Sequence, residues 1–77
     1  MDEKEFYKLL GKRIKYLREQ ANFTQEKLAE KAGISLDYLG KIEVNINKPG
    51  IKTILKLANA LDLPVMNLFD FSGIYNV

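Results

Sequence analysis

The chain carries one short pattern twice. Phe23-Thr24 is followed by three variable residues and Leu28, and Ile34-Ser35 is followed by three variable residues and Leu39. In each copy the hydroxyl residue can cap a helix, its oxygen accepting a bond from a backbone N–H that has no partner within the helix. The apolar residue before the cap and the Leu four positions after it can close a hydrophobic staple, which sets the angle at which the backbone enters the helix. Gly33 lies between the two copies and suits a tight turn with positive φ. The region is therefore read as two short helices meeting at a corner, each with its start imposed locally. Lys27 stands where a reciprocal capping box would need Glu or Gln, so the hydroxyl caps act without that box.

The flanking segments are read as helices as well. Phe6, Leu10, Ile14 and Leu17 recur at spacings of three and four, giving a first helix from Asp2 or Glu3 to Gln20. Asp2, Glu3 and Glu5 favour its positive N-terminus, Lys15 and Arg18 lie nearer its end, and Asn22 can take the left-handed conformation that closes it. In the corner, Leu28, Ala29 and Ala32 face inward on helix 2 and Leu39 and Ile42 on helix 3, while Leu36, Asp37, Gly40, Lys41 and Val44 fall on the outer side. After Val44–Gly50, a fourth helix is expected to bury Ile51, Ile54, Leu55, Ala58 and Leu61. Pro64 is read as the first residue of a short fifth helix through Phe69. Strand-like alternation is absent except in the last few residues. The expectation is an all-α domain of five short helices.

Composition narrows the chemistry. A chain of 77 residues has room for one domain with a modest core, read as residues 1–70 followed by an apolar C-terminal segment, 71–77. With no Cys and no His, structural zinc, thiol catalysis, disulfides and the usual general base are removed together. No metal, cofactor or enzymatic activity is expected. The formal charge is only +2, so a nucleic-acid partner would require positive charge placed locally. No apolar run is long enough to span a bilayer, the acidic start is unlike a signal peptide, and a reducing cytoplasmic setting fits.

The corner alone is also compatible with an ordinary pair of packed helices. The stretch from Leu17 to Glu43 followed by "KPGIKTILKLANALDLP" goes further: it resembles the helix-turn-helix domain of the phage repressor and Cro proteins, the Xre or Cro/repressor family. The restriction-modification controller proteins within that family are similar too. The resemblance covers roughly Phe6 to Phe69 and is carried by Thr24-Gln25-Glu26-x-Leu28-Ala29, Ala32-Gly33-Ile34-Ser35, Ile42-Glu43 and the run Ile54–Leu61.

The resemblance implies a transcription regulator that binds double-stranded DNA as a homodimer on a pseudo-palindromic operator. Helix 3 would lie in the major groove. Ser35, Leu36, Asp37 and Lys41 occupy the positions that read base edges, and Thr24, Gln25, Tyr38, Asn45, Asn47 and Lys48 those that hold the DNA backbone. Arg18 and Glu43 match a structural salt bridge of the family. Val44-Asn45 stands where the family commonly has Arg-Gly, so Asn45 is expected to take the left-handed conformation and one positive charge is missing. Leu36 replaces a usually polar residue, and Gly40 is an unusual mid-helix glycine.

The apolar end of the chain supplies the expected dimer contacts: Val65, Met66, Leu68, Phe69, Phe71, Ile74 and Tyr75 exceed what a short fifth helix can bury beneath itself. The competing reading is the same fold used for protein contact, as an antirepressor or assembly partner.

Overall fold

In the computed structural model of the protein, residues 1–72 are described. They form four α-helices: α1 (Glu3–Gln20), α2 (Gln25–Ala32), α3 (Leu36–Glu43) and α4 (Ile51–Ala60). No strand occurs among the described residues. Three helix starts are capped by side chains. Asp2 accepts from the Glu5 backbone N–H at 2.8 Å, Thr24 from Lys27 at 3.0 Å, and Ser35 from Tyr38 at 3.0 Å.

All four helices end in the same way. Asn22, Gly33, Asn45 and Asp62 have φ of 59°, 71°, 63° and 58°. The residue after each donates its N–H five positions back, to the carbonyls of Arg18, Ala29, Lys41 and Ala58. At the first two corners that residue, Phe23 or Ile34, also begins the following staple. One apolar side chain thus helps close one helix and aim the next. Phe23, Ile34 and Leu63 are half-buried against the core, whereas Ile46, the counterpart after α3, is exposed.

The core is assembled from Leu10 and Ile14 of α1, Leu28 of α2, Leu39 and Ile42 of α3, Leu57 of α4 and Leu68, all of them buried completely or nearly so. Two expectations are corrected here. On α4 the buried stripe is Ile54, Leu57, Ala58 and Leu61, while Ile51 and Leu55 are exposed. The helix is apolar on more than one side, and spacing alone does not say which stripe meets the core. Val65–Phe69 is a 3₁₀ helix rather than an α-helix, and Pro64 is its extended N-cap rather than its first residue. Such short pieces readily close with i→i+3 bonds, here from Asn67 to the Pro64 carbonyl at 3.0 Å.

The apolar end is also used differently than expected. Leu68 is completely buried in its own core, so it is unavailable to a dimer contact. Phe69 and Phe71 are half-buried against Phe6 of α1, with ring centroids 6.0 and 5.5 Å away, and Phe6 in turn meets Tyr7 edge-on at 5.2 Å. Arg13 of α1 donates to the Asn67 carbonyl at 2.7 Å. Val65 is partly buried on the same core, and Met66 stays exposed. Much of the aromatic surplus therefore packs on α1 within the chain. Ile74 and Tyr75 lie outside the described residues.

Two mid-helix glycines have opposite roles. A Cβ added at Gly11 of α1 would sit 2.5 Å from the Ile42 carbonyl oxygen and 3.1 Å from that of Glu43. The bare glycine is what lets α1 lie against the C-terminal end of α3. A Cβ at Gly40 would meet only the Gln25 carboxamide, at 3.8 Å. Gly11→Ala should lower stability by about 1–3 kcal/mol through overpacking against backbone. Gly40→Ala should raise it by about 1 kcal/mol through helix propensity. Urea denaturation of both variants checks the signs.

Candidate nucleic-acid interface

The site is organised around a buried cation. Arg18, on α1 and in line with Gly11, presents its guanidinium to Glu43 at the end of α3. Nε donates to Oε2 at 2.7 Å and Nη2 to Oε1 at 3.1 Å, and Nη1 donates to the Phe23 carbonyl at 2.8 Å. Both residues are buried, at 9% and 6% exposure. The hydrogen bond to Glu43, aided by its charge and partly opposed by burial, raises the Arg18 pKa above its ordinary value. Arg18 and Glu43 therefore form the structural pair that the resemblance implied.

Gln25 joins this pair. Its Nε2 donates to Glu43 Oε1 at 3.0 Å, so the first residue of α2 is tied to the last residue of α3. The resemblance implied a DNA-backbone role for Gln25; in the protein alone, one of its N–H groups is spent on Glu43. A carboxamide has a second N–H and an acceptor oxygen left to use. Sequence reading missed both this bond and the close approach at Gly11. A glycine seven residues before Arg18 was the available signal for the latter; the partner of a flexible carboxamide leaves no periodic trace.

The outer side of α3 is open to solvent. Ser35, Leu36 and Asp37 are exposed and Lys41 is partly exposed. The Ser35 oxygen is engaged as the cap, which leaves its hydroxyl hydrogen free to donate; exposed Thr24 is in the same position at the start of α2. Asp37 and Lys41 are one turn apart and pair with each other, Oδ2 to Nζ at 3.0 Å. Such solvated i,i+4 pairs are worth about 0.3–0.5 kcal/mol, so a ligand can separate them at little cost. Gly40 lies beside Gln25, where a side chain is absent though space exists.

The remaining backbone-binding candidates are less free. The Tyr38 hydroxyl lies 3.4 Å from Thr53 Oγ1, which ties its half-buried ring toward α4. Lys48 makes an ion pair with Glu3 at 3.1 Å and sits over the Tyr7 ring at 5.5 Å. Asn45 holds the left-handed conformation expected of a glycine substitute. The N–H groups of Ile46 and Asn47 both donate to the Lys41 carbonyl, at 2.8 and 3.2 Å, which fixes the turn after α3. Among the described residues no cluster of three or more acidic side chains could hold a metal ion, and no helix is long and apolar enough to cross a membrane.

Comparison with known proteins places this geometry. The helix-turn-helix family model matches residues 14–66. The transcriptional regulator SinR of Bacillus subtilis is 38% identical over 63 residues, which is 80% of this chain and 57% of SinR. The chain thus spans a little over half of that regulator's length. The crystal structure of the restriction-modification controller protein C.AhdI from Aeromonas hydrophila superimposes with a TM-score of 0.80 at 35% identity, covering 82% of this chain and 96% of that one. SinR in complex with DNA superimposes with a TM-score of 0.74 at 39% identity, over 79% of this chain and 98% of that one.

Because Arg18 and Glu43 are buried together, truncating either leaves the other charged and unpaired. Arg18→Ala or Glu43→Ala should cost roughly 3–5 kcal/mol of folding stability. The check is chemical denaturation of each variant, with loss of most of the folded population expected in a domain this small.

Proposed function

Because the chain belongs to the helix-turn-helix family of the Cro and phage-repressor type, a family of DNA-binding transcription regulators and not of enzymes, we propose that it is a sequence-specific regulator that reads the major groove with α3. It acts as a homodimer, as a repressor or a controller of neighbouring genes, in the cytoplasm. The observation that carries this reading is the exposed outer ridge of α3, bare from Ser35 to Lys41 and anchored from behind by Arg18, Glu43 and Gln25. A ridge one helix wide fits the major groove, and anchoring keeps it from changing angle on contact.

The mechanism involves no bond making. Lys41 exchanges Asp37 for guanine O6 and N7, and Asp37 turns to cytosine N4, so the two charges that satisfy each other in water find complementary groups in the groove. Leu36, exposed at 46%, meets a thymine methyl group, and the Ser35 hydroxyl donates to a base edge. The second Gln25 N–H, the Thr24 hydroxyl and the turn at Asn45 and Asn47 hold phosphates, with the backbone N–H groups at the start of α2 beside them. Tyr38 and Lys48 contribute after releasing Thr53 and Glu3.

For the homodimer, the free apolar surface is not the aromatic cluster but the exposed face of α4, with Ile51 and Leu55, and Met66 on the 3₁₀ segment that packs against α4. Two copies joined by a two-fold axis place their recognition helices about 34–36 Å apart, one turn of DNA. Selection from a random duplex pool should recover a pseudo-palindromic site. Lys41→Ala should relax one base position per half-site by about 1–3 kcal/mol while changing stability little. Recovery of no site, with no duplex binding at low salt by folded protein, would favour the protein-contact role instead.

A further inference from the structure

The proposed DNA face is short of positive charge. Val44 stands where an Arg would be usual, Lys41 is paired with Asp37, and Lys48 is paired with Glu3. Affinity for duplex DNA depends on neutralising phosphates, so a chain carrying only +2 must find cations elsewhere near the groove.

We propose that Lys8 and Lys12 of α1, which flank the Val44–Asn45 turn, form a second phosphate-binding ridge that supplies the charge missing from the turn. The ligand is the sugar-phosphate backbone of double-stranded DNA at the edge of each half-site. The inference rests on the DNA-binding reading above and extends its footprint from the helix-turn-helix to α1.

Three observations converge. Lys8 and Lys12 line a shallow groove of about 220 Å³ together with Glu43, Val44 and Asn45, and they also line an adjoining groove of about 490 Å³ that again reaches Asn45. Both lysines are exposed and neither has an ion pair or ring contact among the described residues. Finally, Gly11 lies between them in sequence and touches α3, so this part of α1 is held at the C-terminal end of the recognition helix. Lys15 lies within about 60° of both lysines on the helix surface and continues the positive stripe.

The acidic groups nearby do not cancel the stripe. Glu43 is consumed by Arg18 and Gln25. Asp2 and Glu5 line only the groove nearer the start of α1, where Asp2 caps the helix and Lys4 lies with them. The groove between Lys8, Lys12 and the turn is thus the cationic part of this surface, continuous through Asn45 with the proposed phosphate contacts of the helix-turn-helix. A lysine on a four-carbon stem serves there as a mobile point charge, which suits phosphate and carries no base preference.

The test is a salt series by fluorescence anisotropy, on the duplex recovered by selection and on a random duplex of equal length. The double variant Lys8→Ala/Lys12→Ala removes four lysines from a homodimer seated on both half-sites. It should therefore lose roughly 3–4 from the magnitude of the log K against log salt slope, at about 0.9 per neutralised phosphate. Affinity should fall on both duplexes alike, with the selected motif and the thermal midpoint unchanged. Lys31→Ala/Lys56→Ala, which removes the same charge from α2 and α4, should leave the slope in place. Adding Val44→Arg to the Lys8→Ala/Lys12→Ala protein should restore about two units of slope, one from each protomer. An unchanged slope in Lys8→Ala/Lys12→Ala, or an equal loss in Lys31→Ala/Lys56→Ala, overturns the ridge while leaving the regulator reading intact. Failure of the unaltered, folded protein to bind any duplex at low salt overturns both.

Discussion

The architecture depends on one buried ion pair. Arg18 and Glu43 join the first and third helices, and through Nη1 the same guanidinium holds the Phe23 carbonyl at the corner between α1 and α2. Gln25 adds the start of α2. Three helices therefore meet at a single carboxylate, and both of its oxygens are used. Desolvating two charges is costly, and a buried pair of this kind adds little to net stability compared with a well-packed apolar substitute. What it adds is direction: a guanidinium fork donates to a carboxylate in few orientations, so the end of α3 has one place to be. Gly11 makes that place reachable, because any side chain there would strike the α3 backbone.

Behind this rigid joint the surface is loosely committed. Asp37–Lys41 and Glu3–Lys48 are solvated pairs that cost little to part, and the Thr24 and Ser35 hydroxyls keep a donor after serving as caps. Fixed backbone and exchangeable side chains suit a protein that must meet a ligand of constant shape and variable sequence. The low net charge fits the same design. On the proposed reading, the lysines along α1 supply attraction on the side of the duplex, in a chain whose formal charge is only +2.

What the sequence alone makes legible is set by neighbours in the chain. Thr24 and Ser35 cap because their oxygens lie within reach of the N–H three residues on, and Asn22, Gly33 and Asn45 turn left-handed because helix ends require it and these residues tolerate it. The inner faces of α1, α2 and α3 followed from helical spacing in the same way, as did the open outer side of α3. Each of these depends on atoms a few residues apart, so the code is local and survives without a partner.

The rest required three dimensions. Ile51 and Leu55 are as apolar as Ile54 and Leu57, and only the placement of α4 against α2 and the 3₁₀ segment chose which stripe was buried. The rings of Phe69 and Phe71 had an obvious use in a second subunit until Phe6, more than sixty residues earlier, proved to be beside them. Gln25 had a ligand role suggested by its position, yet its amide found Glu43 across a helix boundary. Periodicity says that a side chain points away from its own helix axis. It carries no record of which distant group waits there, because burial and pairing are properties of the assembled set of helices.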